Sequence, residues 1–354
     1  MKQFDNIFFA LTPIQLINAY EAKHAYGIND NESLLVLFAE NSITINQLRS
    51  VLKLQKWNKI LFLFDEIKSK DGSSGSNFFL KTIRIIRNII RCQRLLRNIK
   101  KTSVAFLGNI DNPYMHYLSC RLINTKKIVL DEGNNTVRRM RWNSGSEEYY
   151  IGGPFSNNKK NRIFRILGHN KYIPKTDLTF FSVFENLIQD QRVQYRQNFF
   201  NYTRRVFDLD TKESSNEVWF LGAPFLALGM LETKQYFNLL KTIEGYYSNY
   251  QFIYIQHRAE REKELPALET RLFDYPVEYQ LLNEILLPKK IISFHSGASI
   301  NIFLLFKKIQ VVNFELTDSV MKSGKLGQGR IELYKYYKEI EADNMINLPL
   351  SVLI

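Results

Sequence analysis

Three short polar motifs each close an apolar run. Lys127-Ile128-Val129-Leu130 leads into Asp131-Glu132-Gly133. Gln251-Phe252-Ile253-Tyr254-Ile255 leads into Gln256-His257-Arg258, and Lys290-Ile291-Ile292 leads into Ser293-Phe294-His295-Ser296-Gly297-Ala298-Ser299. They supply a carboxylate pair, an imidazole beside a guanidinium, and a hydroxyl-rich turn. That set suits deprotonation of an acceptor, assistance to a departing phosphate and cradling of that phosphate. Buried parallel strands read as such apolar runs, and ligands sit beyond their carboxyl ends.

Each motif also has a plain structural reading. In Asp131-Glu132-Gly133, adjacent carboxylates repel, which suits one of them to accept a proton; a solvated turn is the alternative. His257 suits a hydrogen bond to phosphate near neutral pH, or it is a sheet-edge histidine satisfied by a carbonyl. Arg258 beside it argues for an anion. Ser296 and Ser299 open a helix-like apolar stretch, where hydroxyls and N–H groups form a phosphate site or an ordinary cap. Glu278, just after Pro276, suits ribose hydroxyls, or a helix first turn. Gly222-Ala223-Pro224 follows Val218–Leu221 and allows backbone to approach a nucleotide. Thr12-Pro13-Ile14-Gln15 is a capping box with proline at the first helical position. As the first strand-to-helix turn it also borders the expected cleft and offers N–H groups to anions. Asp208-Leu209-Asp210 and Gly324–Gly329 resemble metal and phosphate motifs only superficially.

The elements that position these residues alternate. Strand-like runs occupy 6–11, 34–39, 60–64, 103–107 and 127–130, then 217–221, 251–256, 290–294 and 309–314. Helical patterns fall at 13–26, 44–54, 78–100 and 112–123, then 231–248, 278–286 and 297–306. Such alternation predicts parallel sheets with covering helices. A chain of 354 residues exceeds one ordinary core, so two domains are expected. The polar stretch Asp210–Asn216 reads as the linker between 1–210 and 211–354.

Hydrophobic residues at 45% and aromatics at 14% argue against global disorder. No run reaches the ~18 uncharged apolar residues of a membrane span. Two cysteines, Cys92 and Cys120, suit a reducing compartment, so a cytoplasmic place is expected. The net charge of +13 fits nucleic acid, an anionic membrane or an anionic substrate. It concentrates in Lys81–Lys101, where Arg84, Arg87, Arg91, Arg94 and Arg97 interleave with Ile83, Ile86, Ile90 and Ile99. That pattern predicts a basic amphipathic helix, suited to peripheral contact with anionic lipid on the inner membrane face, or simply solvated. The absence of a nucleic-acid-binding motif argues against a nucleic-acid partner.

The ordered set of motifs resembles the bacterial sialyltransferases and related enzymes of glycosyltransferase family 52, which act on lipooligosaccharide and capsule. Phe8–Ala19 looks like that family's start. Asp131-Glu132-Gly133 is similar to its acidic-acidic-glycine motif, Tyr254–Arg258 to its His-Pro region, and Ser296 to its paired-serine motif. Arg258 stands where that family has proline, and Gly297 where a second serine is usual. The resemblance implies a GT-B-like fold, two Rossmann-type parallel-sheet domains facing a cleft. Residues 1–210 then form the acceptor side and 211–354 bind the nucleotide. It implies inverting transfer of sialic acid, or a related nonulosonic acid, from a CMP-sugar to an oligosaccharide. Asp131 is then the base and Glu132 its support. His257 assists the phosphate, Ser296, Ser299 and Arg258 bind it, Glu278 binds ribose, and Gly222, Ala223 and Pro224 line the nucleotide. Thr12, Pro13 and Gln15 border the cleft. No metal or cofactor is expected. The other readings are a transferase using a UDP-sugar and a basic nucleic-acid-binding protein.

Overall fold

The computed structural model describes residues 4–39, 42–63, 78–99, 102–133, 136, 148–149, 173–174, 177–184, 193–257, 260, 268–294, 296–324, 326, 328–340 and 342–353. Arg258 lies outside them. The chain divides into two compact units, residues 1–132 with 142–202, and 133–141 with 203–354.

The first unit opens with β1 (Asn6–Ala10), in which Ile7, Phe8, Phe9 and Ala10 are all fully buried. A strand apolar on both faces needs cover on both. α1 (Pro13–Ala25) supplies cover, and β2 (Ser33–Leu37) pairs beside β1. Then come α2 (Ser42–Val51), β3 (Lys59–Phe62), α3 (Phe78–Ile99), β4 (Val104–Leu107), α4 (Pro113–Ser119) and β5 (Lys126–Leu130). β6 (Glu148–Tyr149) and β7 (Ile173–Pro174) form a small antiparallel pair. β8 (Leu178–Ser182) and β9 (Gln194–Gln197) complete a sheet ordered β3-β2-β1-β4-β5-β8-β9, parallel at every pairing.

α5 (Asn201–Val206) spans the division after Tyr202, and β10 (Glu213–Ser214), β11 (Glu217–Leu221), α6 (Thr233–Tyr246), β12 (Gln251–Gln256) and β13 (Thr270–Leu272) follow in the second unit. α7 (Val277–Asn283), β14 (Leu286–Leu287), β15 (Lys290–Ser293), α8 (Gly297–Leu305), β16 (Gln310–Glu315), α9 (Gln328–Glu339) and β17 (Met345–Pro349) follow. Its main sheet runs β13-β12-β11-β15-β16-β17, again all parallel. In both sheets the chain works outward from one strand, then returns to that strand's other side. The reversal lies between β1 and β4 in the first unit and between β11 and β15 in the second. Crevices for ligands open at such reversals.

The nine expected strands all form, within a residue or two at each end. α5, α9 and the strands β6 to β10, β13, β14 and β17 have no counterpart in the expected pattern. β9 is the polar edge strand Gln-Tyr-Arg-Gln, which carries no hydrophobic signal. The polar stretch 210–216, expected as a linker, instead folds onto the second unit. β10 pairs with β14, and the Ser215 N–H donates to the Leu287 carbonyl at 2.7 Å. Lys212 Nζ donates to the carbonyls of Leu282 at 2.8 Å and Glu284, capping the C-terminal end of α7. The units therefore part after Tyr202, ahead of the expected 210. Among the described residues no helix is long and apolar enough to cross a membrane.

A cation on the last carbonyls of a helix satisfies groups that have no helical partner and meets the negative end of the helix dipole. Lys212→Met should lower the stability of the folded protein by about 1–2 kcal/mol, read as a lower urea midpoint at unchanged slope. An unchanged midpoint would mean that water replaces the ammonium without loss.

Candidate active site

Strand register fixes which residues meet at the reversal of the first unit. Phe9 is level with Leu107, and Leu107 with Val129, so the loops after β1, β4 and β5 leave the sheet side by side. Thr12 caps α1, its Oγ1 accepting the Gln15 N–H at 3.4 Å, and Pro13 takes the first turn. The expected capping box closes differently on its return arm. Gln15 Oε1 accepts the N–H of Leu11 at 2.8 Å, one residue before the cap. This leaves the amide nitrogen of Gln15 to donate to Glu132 Oε1 at 3.2 Å. Asn109 Nδ2 donates to the same oxygen. Gly108 makes this possible. A Cβ there would stand 2.7 Å from both Gln15 Oε1 and the Phe9 carbonyl, so any other residue would push the Gln15 side chain off its partners. Three loops thus converge on one part-exposed carboxylate. Neither Gly108 nor Asn109 was singled out in the sequence, because Leu-Gly-Asn after a strand has no signature of its own.

Asp131 has a different environment. It is 1% exposed. Ser182 Oγ donates to its Oδ1 and the Val183 N–H to its Oδ2, each at 2.6 Å. Its backbone carbonyl accepts from Asn18 Nδ2, whose own Oδ1 accepts from Asn198. The side chain expected to be the base therefore joins the ends of β5 and β8 inside the unit, with α1 and the segment after β9 tied to the same point. A proton acceptor must reach the proton it takes; Asp131 is enclosed, whereas Glu132 is part-exposed.

In the second unit Leu221 is level with both Ile255 and Ser293. The loops carrying Gly222, His257 and Ser296 therefore leave adjacent strand ends. Gly222 is demanded by close approach, since a Cβ would lie 2.4 Å from Tyr254 Oη and 2.7 Å from Glu260 Oε2. Ala223 and Pro224 continue that turn, part-exposed. Behind it a chain of polar groups fixes the histidine loop. Tyr236 and Tyr254 share a hydroxyl contact of 2.8 Å, and Tyr254 Oη donates to Glu260 Oε1 at 2.7 Å. Glu260 Oε2 accepts the His257 N–H at 2.7 Å, and its own N–H returns to the His257 carbonyl at 2.8 Å. Burial pushes both phenols up, so they remain donors. Glu260 is a positioning residue that the sequence reading missed, although it lies only three residues past His257. Arg330 is another omission: its guanidinium sits 5.0 Å from the ring of Phe225, beside the Gly222 turn.

Ser296 caps α8, its Oγ accepting the Ala298 N–H at 3.3 Å. It is part-exposed. Ser299 is fully buried, and its hydroxyl contacts Ser293 Oγ at 2.9 Å. Ser293 in turn reaches Asn313 Oδ1 at 3.0 Å, so Ser299 holds α8 to the sheet and does not face a ligand. Glu278, expected at a ribose, is 7% exposed and accepts from Asn301 Nδ2 at 3.0 Å. Among the described residues no three His, Cys, Asp or Glu side chains gather as a metal site.

No family model and no curated protein matches the chain. Solved structures do. UGT89C1 of Arabidopsis thaliana superposes with a TM-score of 0.51 at 9% identity, over 97% of this chain and 85% of that one. UGT73P12 of Glycyrrhiza uralensis, solved with glycyrrhetinic acid 3-O-monoglucuronide, gives 0.52 at 8%, over 98% and 81%. TcCGT1, solved with UDP, gives 0.50 at 10%, over 98% and 86%. The fold is GT-B. At such identities the likeness is one of architecture alone.

Burial raises Glu278 above the ordinary carboxylate value of 4.5, opposed by the Asn301 hydrogen bond. A raised folded value means the stabilising contribution is complete below the unfolded value and is lost as pH rises through the folded one. Among the described residues Asn301 Oδ1 has no hydrogen-bond partner, and a neutral amide at 278 can donate to it. Glu278→Gln should therefore melt higher than wild type at pH 7–8, with the gap closed once pH has fallen to about 4.5. A variant that melts lower at every pH would show that the ionised carboxylate is the form the fold requires.

Proposed function

We propose that the protein is an inverting glycosyltransferase that moves a sugar from a nucleotide sugar to a hydroxyl of a glycan acceptor. The observation that carries this reading is the part-exposed Glu132, gripped by Gln15 and Asn109 at the chain reversal of a GT-B unit. In one displacement the acceptor oxygen bonds to the anomeric carbon. Its proton passes to Glu132, and the bond to the nucleotide phosphate breaks. Hydrogen bonds from the amides of Gln15 and Asn109 fix the carboxylate's direction, which is most of what a positioned base requires. The second unit receives the nucleotide: the part-exposed Ala223 and Pro224 of the Gly222 turn line it, and the N-terminal end of α8 with Ser296 meets its phosphate. His257, with its backbone locked by Glu260, donates to the leaving phosphate, and Arg330 adds a cation beside the turn. Asp131 is assigned to structure. Cys92 and Cys120 are joined in no disulfide, which fits a cytoplasmic reaction.

For the donor we favour a UDP-sugar. TcCGT1, solved with UDP, has the same fold. Within the paired-serine segment, Gly297 replaces the second serine and Ser299 is enclosed, leaving Ser296 alone to serve. A CMP-nonulosonate, the donor implied by the resemblance to family 52, remains the second reading on the strength of the ordered motifs.

A thermal-shift panel decides between them, because a ligand that binds only the folded state raises the melting temperature by mass action. UDP should raise it more than CMP does; CMP alone raising it would restore the sialyltransferase reading. Glu132→Gln should cut turnover about 10²–10⁴-fold and leave the nucleotide shift intact. Asp131→Asn sets an amide against two donors and should cost about 2 kcal/mol of stability. Near-normal turnover in Glu132→Gln would remove Glu132 from the mechanism.

A further inference from the structure

α3 has two faces of opposite character. Ile85, Asn88, Ile89, Cys92, Leu95 and Ile99 are buried against the first unit, and burial pushes the Cys92 thiol up to about 12. The outward face carries Ile83, Ile86 and Ile90 at 46%, 41% and 43% exposure, with Arg87, Arg94 and Arg97 exposed among them. At 3.6 residues per turn these six project within an arc of about 100°. The helix from Phe78 to Ile99 contains no aspartate or glutamate.

We propose that this face of α3 docks the protein on an anionic lipid bilayer. Isoleucines exposed between arginines match the boundary of a membrane, where apolar side chains enter the acyl region and guanidinium groups meet lipid phosphates. A second copy of the chain fits poorly, because a two-fold contact would set the arginines of one face against those of the other. Nucleic acid also fits poorly. Between Ile83 and Arg97 the helix has no aromatic side chain on which a base could stack, and isoleucines offer nothing to phosphodiesters. The inference is independent of the donor and of the assignment of Glu132.

The test is co-sedimentation of the full chain with vesicles of phosphatidylglycerol and phosphatidylethanolamine, and with vesicles of phosphatidylcholine alone. The wild type should bind the first and not the second, and should release at high salt. Each arginine at an anionic surface is worth about fivefold in partition. The triple variant Arg87→Gln, Arg94→Gln, Arg97→Gln should therefore lose about a hundredfold, and Arg94→Gln alone about fivefold. Ile83→Gln, Ile86→Gln, Ile90→Gln should lose at least about tenfold, with an unchanged melting curve because these positions are exposed. Wild-type protein that ignores anionic vesicles overturns the proposal, as does an arginine variant that binds them undiminished. An isoleucine variant that converts a lipid-free dimer to monomer and leaves vesicle binding unchanged overturns it in favour of self-association. Binding to duplex DNA without binding to vesicles overturns it in favour of nucleic acid.

Discussion

Every strand of both large sheets runs in one direction, and the proposed chemistry depends on that. A parallel sheet collects all its carboxyl ends on one edge, and each crossing helix begins there with N–H groups that have no helical partner. Where the chain reverses its direction of travel across the sheet, neighbouring loops diverge to opposite faces and leave a crevice. In the first unit that place is between β1 and β4, where Gln15 and Asn109 reach Glu132. In the second it is between β11 and β15, where the Gly222 turn lies beside the loops of His257 and Ser296. Two glycines leave room for these contacts: Gly108 lies against the Phe9 carbonyl and the Gln15 side chain, and Gly222 against the Tyr254 hydroxyl and the Glu260 carboxylate.

The same geometry separates adjacent residues of like chemistry. Successive side chains of an extended chain point to opposite sides. One step past β5, this sends Asp131 inward and leaves Glu132 at the edge. A carboxylate removed from water is tolerated only with full hydrogen bonding, which Ser182 and Val183 provide. The serines divide likewise: Ser296 stays at the cap while Ser299, one turn on, faces the sheet. Residues that look interchangeable in a motif thus split into one that meets solvent and one that holds the loop.

The strands and the loops carrying chemistry were legible because parallel strands buried on both faces are uninterrupted apolar runs, as in Ile128-Val129-Leu130 and Ile253-Tyr254-Ile255. Thr12-Pro13 marked its helix start for the same local reason. What was not legible depends on partners distant in the chain. Asp131 reads as a base until Ser182 is placed 51 residues away. The stretch 210–216 reads as a linker until Lys212 finds the end of α7. β9, Gln-Tyr-Arg-Gln, is polar and short and takes its place by pairing with β8. Glu260 shows a nearer limit: a glutamate three residues past a histidine is unremarkable until Tyr254 and the His257 N–H are both seen on its carboxylate.

The most direct measurement is amide hydrogen exchange of the full chain with and without saturating UDP. Backbone that contacts or is ordered by a bound nucleotide exchanges more slowly. Slowed exchange at Gly222–Phe225 and at Ser296–Asn301, with residues 11–15 and 108–112 unchanged in the absence of acceptor, is the result this account predicts. Slowed exchange at the β1/β4 edge with none in the second unit would contradict it, because the nucleotide would then occupy the unit assigned to the acceptor.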